Sequence, residues 1–177
     1  MAKACYRDGV RQKERAWKQE EKAAKEKKDR ARDKALAQAQ KSYKKAVDYQ
    51  IKALQILPTH NEAANELGYA LRETGDYKRA IGAYNLALEL KPDFWQALEY
   101  RGEALLAMGF FGETKEAHMT LFREEQDLAV ELMTAIRTCP APTVAPAAMT
   151  HRNTLPTGCP GRSAQPGPHC STIPPPC

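Results

Sequence analysis

The chain has 177 residues, enough for one modest domain with appendages, and its net charge of +5 averages over unlike parts. Residues 1–60 hold 17 Lys/Arg against 8 Asp/Glu, residues 61–138 hold 8 against 14, and residues 139–177 carry only Arg152 and Arg162. No run of about 18 apolar residues is present to span a bilayer, and the opening MAKACYRDGVRQKERAW has no apolar stretch of the secretory kind, so a cytoplasmic location is the default expectation.

The first element is a charged helical extension over residues 1–26, continuing as one long helix from 11 to 41. Residues 11–41 contain no Gly or Pro and are rich in strong helix formers. Glu14 precedes Lys18, Glu21 precedes Lys25 and Glu26 precedes Arg30 by four residues, the favourable order for helical ion pairs. Between residues 11 and 35 Trp17 is the only large hydrophobic side chain. A dimeric coiled coil wants Leu or Ile at successive seam positions, so the pattern reads as a solvated helix leading into the domain.

Residues 42–138 are dense in amphipathic helical pattern, with a terminal helix over 127–137 (Leu128, Leu132 and Ile136 on one face) that covers the last apolar surface. Residues 139–177 hold ten of the twelve prolines and no aromatic residue. That composition forbids helix and ladder alike and buries too little to offset chain entropy, so this Pro-rich tail is expected to be disordered.

A period of about 34 residues, a length typical of stacked helical repeats, runs through the middle. It relates Ala46 to Ala80 and Thr114, Ala53 to Ala87 and Leu121, Tyr43 to Tyr77 and Phe111, Pro58 to Pro92, Gly68 to Gly102, and Gly75 to Gly109. Gly75 and Gly109 suit the left-handed residue that ends a helix, Pro58 and Pro92 stop helices, and Thr59 or Asn61, Asp93 and Asp127 are candidate N-caps. This period and its helix–turn–helix units resemble the tetratricopeptide (TPR) repeat. The stretch 61–94 matches that family's pattern at Leu67, Gly68, Leu71, Ala80, Tyr84, Ala87 and Pro92, with Ala64 in place of the initial Trp. Residues 95–128 keep Gly102, Leu105 and Gly109 but carry Thr114, His118, Leu121 and Gln126 at the later positions. Residues 27–60 keep Tyr43, Ala46, Ala53, Leu54 and Pro58, with a degenerate first helix. The resemblance implies an all-α fold: a short right-handed α-solenoid of about three units (27–60, 61–94 and 95–128) in a domain of residues 27–138.

Carried over residue by residue, it also implies a concave groove lined by Glu62, Asn65, Tyr69, Arg72 and Glu73 in the second unit, and by Gln96, Glu99, Glu103, Leu106 and Ala107 in the third. That surface is acidic with one Tyr and an apolar end. The implied function is a non-enzymatic adaptor binding a protein or peptide segment that carries basic residues. One subclass of the family grips a chaperone's C-terminal carboxylate with cationic side chains. The matching positions here are Ala31, Ala35, Glu66, Gln96 and Tyr100, none of them cationic, so that ligand is not expected. The charge asymmetry also points to self-association between the halves.

The alternative is an electrostatic tether, in which the basic N-terminal helix binds nucleic acid or an anionic membrane. Eleven Lys/Arg in residues 11–34 favour it, but six acids interleave with them and no aromatic set is available for base stacking, so nucleic acid is not the expected partner. No nucleotide-binding, metalloprotease or hydrolase motif is present, and no cofactor or catalytic residue is expected. Cys159, His169, Cys170 and Cys177 match no compact zinc finger, so no metal site is expected, and an odd count of five cysteines is no disulfide framework.

Overall fold

The computed structural model describes residues 1–138, so the tail, with the four zinc-type side chains considered above, lies outside the described residues. The described chain is a solenoid of seven helices in antiparallel pairs: α1 (Ala2–Lys25), α2 (Asp29–Ile56), α3 (Asn61–Glu73), α4 (Tyr77–Leu90), α5 (Trp95–Ala107), α6 (Phe111–Glu124) and α7 (Gln126–Thr138). Each helix packs on the next, and the odd helices also touch in succession, α1 on α3, α3 on α5 and α5 on α7. Successive even helices share at most marginal contact. A stack that closes up along one layer curves toward it, so the odd helices line the concave side.

The short pairs are built as the repeat pattern predicts. Gly75 and Gly109 have φ of 84° and 81°, and both turns close with the same two bonds. Asp76 N–H donates to the Leu71 carbonyl and Gly75 N–H to that of Arg72; Phe110 and Gly109 do likewise to Leu105 and Leu106. This six-to-one and five-to-two pairing is the glycine-terminated end of a helix. Between the helices, Gly68 faces the ring of buried Tyr84, where an added Cβ would lie 2.5 Å from a ring carbon. Ala80 and Ala87 are also fully buried. The expected caps are displaced by one residue: His60 in place of Thr59 or Asn61 starts α3, its Nδ1 accepting from Ala63 N–H, Phe94 in place of Asp93 caps α5 without a side-chain bond, and Asp127 lies in the first turn of α7. Asp76 accepts from Arg79 N–H to start α4.

The N-terminal third differs from its sequence reading in two ways. The continuous helix over 11–41 is broken at Glu26–Lys28, and residues 27–60, read as a helix–turn–helix, hold the single helix α2. The break contains no Gly or Pro; Lys22 and Lys25 sit in the last turn of α1 and Asp29 in the first turn of α2, each favourable to its helix dipole. What folds α1 back is a seam of small residues. Ala2, Gly9, Ala16 and Ala23 are seven apart and all buried, and they meet an α2 face containing Ala39, Ala46 and Ala53, also buried seven apart. Small side chains at this spacing let two helices close along their length without Leu or Ile.

Gly9 shows what this hairpin is. Its missing Cβ would strike Gln50, as that of Gly68 would strike Tyr84, and Gln50 and Tyr84 stand one repeat period apart. The α1–α2 pair is therefore a repeat unit whose first helix is α1. Its helices have 24 and 28 residues, where α3 and α4 have 13 and 14. Both begin or end level with the other units on the body side, so the excess lies beyond the usual turn. At roughly a dozen residues per helix, it projects the hairpin about 18 Å past the other turns. In this register Tyr6 and Val10 replace Ala31 and Ala35 at the chaperone-binding positions, and again neither is cationic.

At the far end α7 packs on α5 and α6, with buried Leu132 set against Gly102. A direct check of this packing is the pair Gly68→Ala and Gly82→Ala. The first puts a methyl group against the buried Tyr84 ring and should destabilise by about 1–3 kcal/mol. Gly82 is an exposed α4 residue with nothing within 4 Å of a new Cβ, so alanine there should stabilise by about 0.5–1 kcal/mol. Urea unfolding of the two variants should shift in opposite directions.

Candidate functional site

The concave layer brings together side chains from α1, α3 and α5. Tyr69, in the middle of α3, stands at its centre, with Trp17 of α1 on one side and Tyr100 of α5 on the other, ring centroids 6.0 and 5.4 Å away. The Trp17 indole N–H donates to the Tyr69 hydroxyl at 2.9 Å. Two cations sit among these rings: Lys13 Nζ is 4.8 Å from the Trp17 centroid and 5.2 Å from that of Tyr69, and the Arg72 guanidinium is 5.2 Å from Tyr69 and 5.4 Å from Tyr100. Such contacts are strongest where water is partly excluded. Both cations are largely covered, but Trp17 keeps 40% of its surface exposed.

Each of these cations also answers groove carboxylates. Lys13 bridges to Glu66 at 2.6 Å, and Arg72 bridges to Glu73 at 3.0 Å and to Glu103 at 2.5 Å, tying α3 to α1 and to α5. Half-buried ions need such partners, because desolvation is otherwise uncompensated. Glu20 of α1 completes the cluster. It accepts the Tyr43 hydroxyl at 2.9 Å, and burial, with repulsion from Glu73, pushes its carboxyl up to about 7 against the pull of the Tyr43 bond and of Arg72. Burial likewise raises the Tyr43, Tyr69 and Tyr100 phenols, so all three stay neutral. Tyr6, its ring tilted against that of His60 with centroids 4.8 Å apart, is pushed up to about 12 by burial and by Glu66 and Glu62.

Among the residues read from the sequence, Tyr69, Arg72, Glu73 and Glu103 meet in this cluster. Glu62 stands exposed beside it and pairs with His60 at 3.0 Å, and Gln96 bonds the Tyr100 hydroxyl at 3.1 Å. Asn65 and Leu106 are buried, Ala107 half-buried. Glu99 is a correction: expected on the open face beside Glu103, it is 1% exposed, so its helix face is turned into the packing between units. Lys13 adds a cation to the groove read from the sequence, and with Arg72 it neutralises part of the acidic charge there. Lys13, Trp17 and Glu20 escape the sequence reading because α1 is there taken as solvated. The signal for them is the seven-residue spacing of Ala2, Gly9, Ala16 and Ala23.

Among the described residues no group of three His, Cys, Asp or Glu side chains is assembled to hold a metal, and no helix is long and apolar enough to cross a membrane.

Glu20 makes the cluster pH-dependent. Its folded-state value near 7 lies above the ordinary 4.5, so the folded state binds the proton more tightly. Stability is then full below pH 4.5 and falls as pH rises to about 7, above which the loss is constant. Glu20→Gln removes this loss. Urea unfolding should find the variant more stable than the parent at pH 8, by about 1–2 kcal/mol after allowance for Glu20's remaining contact with water, and no more stable at pH 4.5.

Compared with known proteins, residues 68–109 match the family model of the TPR repeat. No curated protein matches the chain.

Proposed function

Because this chain is a tetratricopeptide-repeat protein, and such repeats are generally protein-interaction modules, we propose that it is a non-enzymatic adaptor holding a segment of another protein along the concave side of α1, α3 and α5. The observation that carries this reading is the aromatic row Trp17–Tyr69–Tyr100, exposed at Trp17, half-buried at the two tyrosines and interleaved with Lys13 and Arg72. An amphipathic ring at a partly desolvated position is the kind of group on which binding energy concentrates, and Trp17 is the ring with the most free surface. Around it Glu62, Glu66, Glu73 and Glu103 outnumber Lys13 and Arg72, so the face keeps a mild negative excess. That favours a partner segment with an apolar anchor for the rings and a Lys or Arg near Glu62. The acids act mainly by keeping the two cations in place; Glu62 is the carboxylate best exposed to a ligand.

The test places a photo-crosslinking side chain at Trp17 or Glu62 on the concave side, and at Gly82 or Glu89 on α4, in the full-length chain. The concave positions should capture a common partner that the α4 positions do not. Trp17→Ala should lower the yield from the Glu62 position at least tenfold with an unchanged helical circular dichroism spectrum. Equal capture from α4, or indifference to the loss of Trp17, would reject the concave side as the binding face.

A further inference from the structure

We infer that the face of the α1–α2 hairpin turned away from α3 binds a double-stranded nucleic acid through its phosphate backbone, without reading bases. This surface is distinct from the concave side. On the flank toward α3, α1 presents Lys13, Trp17 and Glu20 to α3 and Tyr43. The opposite flank carries cations in rows. On α1 these are Arg11, Arg15, Lys18, Lys22 and Lys25, spaced four, three, four and three residues and therefore one helical stripe about 21 Å long. On α2 they are Lys34, Lys41, Lys45 and Lys52, spaced seven, four and seven. All nine are exposed.

A shallow cleft of about 250 Å³ between the helices is lined by Gln12 of α1 and Lys45, Asp48, Tyr49 and Lys52 of α2, which puts the α2 row beside Gln12, and Arg15, Lys22 and Lys18 follow on that outer side of α1 by helical spacing. No other described helix packs there, since α1 contacts α2 and α3. Folding has also sorted the charges. In sequence the acids of residues 11–34 interleave with the cations, but Glu20 is turned inward to Tyr43, and the acids on or beside the outward face are Asp8, bridged to Arg11, Glu14, one turn before Lys18, and Asp48, with Glu21 and Glu26 at its tip beside Lys25, five acids to nine cations.

The geometry selects among polyanions. Packed helices lie about 8–10 Å apart, so two parallel rows of ammonium and guanidinium groups can meet the two phosphate strands that border a groove of a duplex, about 6 or 12 Å wide. A bilayer would want apolar side chains on this face, and Gln12, Gln19, Gln38 and Ser42 stand between the rows instead. Single strands are held by stacking on aromatic rings, and Tyr49 alone offers one here. Lysines dominate, giving point charges suited to phosphates rather than forked contacts to guanine. The extra length of the hairpin also finds a use here: beyond the usual turn its interior is mainly alanine, and most of what it adds to the surface is charge.

The experiment is fluorescence anisotropy of a labelled DNA duplex of about 20 base pairs, longer than the paired rows, and of the RNA duplex of the same sequence, with the full-length chain. Both should bind at about 50 mM salt, with affinity falling roughly 100-fold by about 200 mM, as expected for about four phosphate contacts. The triple reversal Lys18→Glu, Lys22→Glu and Lys45→Glu should weaken binding at least tenfold. The control, Lys78→Glu, Lys115→Glu and Arg123→Glu on α4 and α6, changes net charge equally and should stay within threefold of the parent. Should the reversal on the hairpin lose helical circular dichroism, Lys→Gln at the same three positions serves in its place, with a loss of at least threefold. Three results would each overturn the assignment: equal loss from hairpin and control, no duplex binding at the lower salt, or tighter binding to poly-glutamate or to mixed phosphatidylcholine–phosphatidylserine vesicles.

Discussion

Two helices close to near contact only where one of them offers little or no side chain, and three of the pairings along this chain rest on a glycine. Gly9 lies against Gln50, Gly68 against Tyr84 and Gly102 against Leu132. The partner residue is long or bulky in every case, so the volume given up by one helix is filled by the other and little is left empty. The rest follows from that constraint. With each pair drawn tight, the odd helices lie near one another along the concave side, and the polar groups on that side are brought half out of water. Charges in that position persist only with partners, which is why Lys13 and Arg72 each reach across to a neighbouring helix. The geometry of the proposed binding face is thus inherited from backbone packing one layer below it.

The residues that carry the repeat period made the central units legible: the two turn glycines take the left-handed conformation their spacing predicts, and Tyr84, Ala80 and Ala87 are buried. The first unit was hidden for a physical reason. Counting back one period from Asn61 lands on Lys27, because the second half of the unit keeps its spacing to the end of α2. The lengthening of both helices toward their shared turn pushes the first half of that unit much further upstream. Reading for large apolar side chains then passes over α1, whose seam is alanine and glycine and whose burial depends on close approach rather than on bulk. Helix faces were readable at the groove as well, since Tyr69, Arg72, Glu73 and Glu103 share one surface. What periodicity alone does not convey is the neighbour: Lys13 and Glu66 are 53 residues apart, Arg72 and Glu103 are 31 apart, and the burial of Glu99 depends on how units stack rather than on its own helix.

Helix α1 serves two surfaces at once. Its inward flank contributes an aromatic ring, a cation and an acid to the concave cluster, and its outward flank carries a run of cations into solvent. The seam residues between these flanks are too small to belong to either. A helix with a broad apolar stripe would have had less circumference to divide in this way. The narrowness of the alanine seam therefore permits a strongly charged helix to be an integral part of a folded unit, and it explains how a basic N-terminal third joins an acidic body without a linker between them.

The seam has a further property, which is that it repeats. Ala2, Gly9, Ala16 and Ala23 recur every seven residues on α1, as do Ala39, Ala46 and Ala53 on α2, and the turn between the helices contains no residue with positive φ to pin its place. Nothing in such a hairpin fixes its extent except the number of repeats. Removing seven residues from each helix beyond the body of the solenoid would restore the same contacts one step lower and retract the tip by about 10 Å, and adding seven to each would advance it by as much. The projecting hairpin is in this sense a ruler with equal divisions, whose reach can change by whole steps while the units that carry it keep their register.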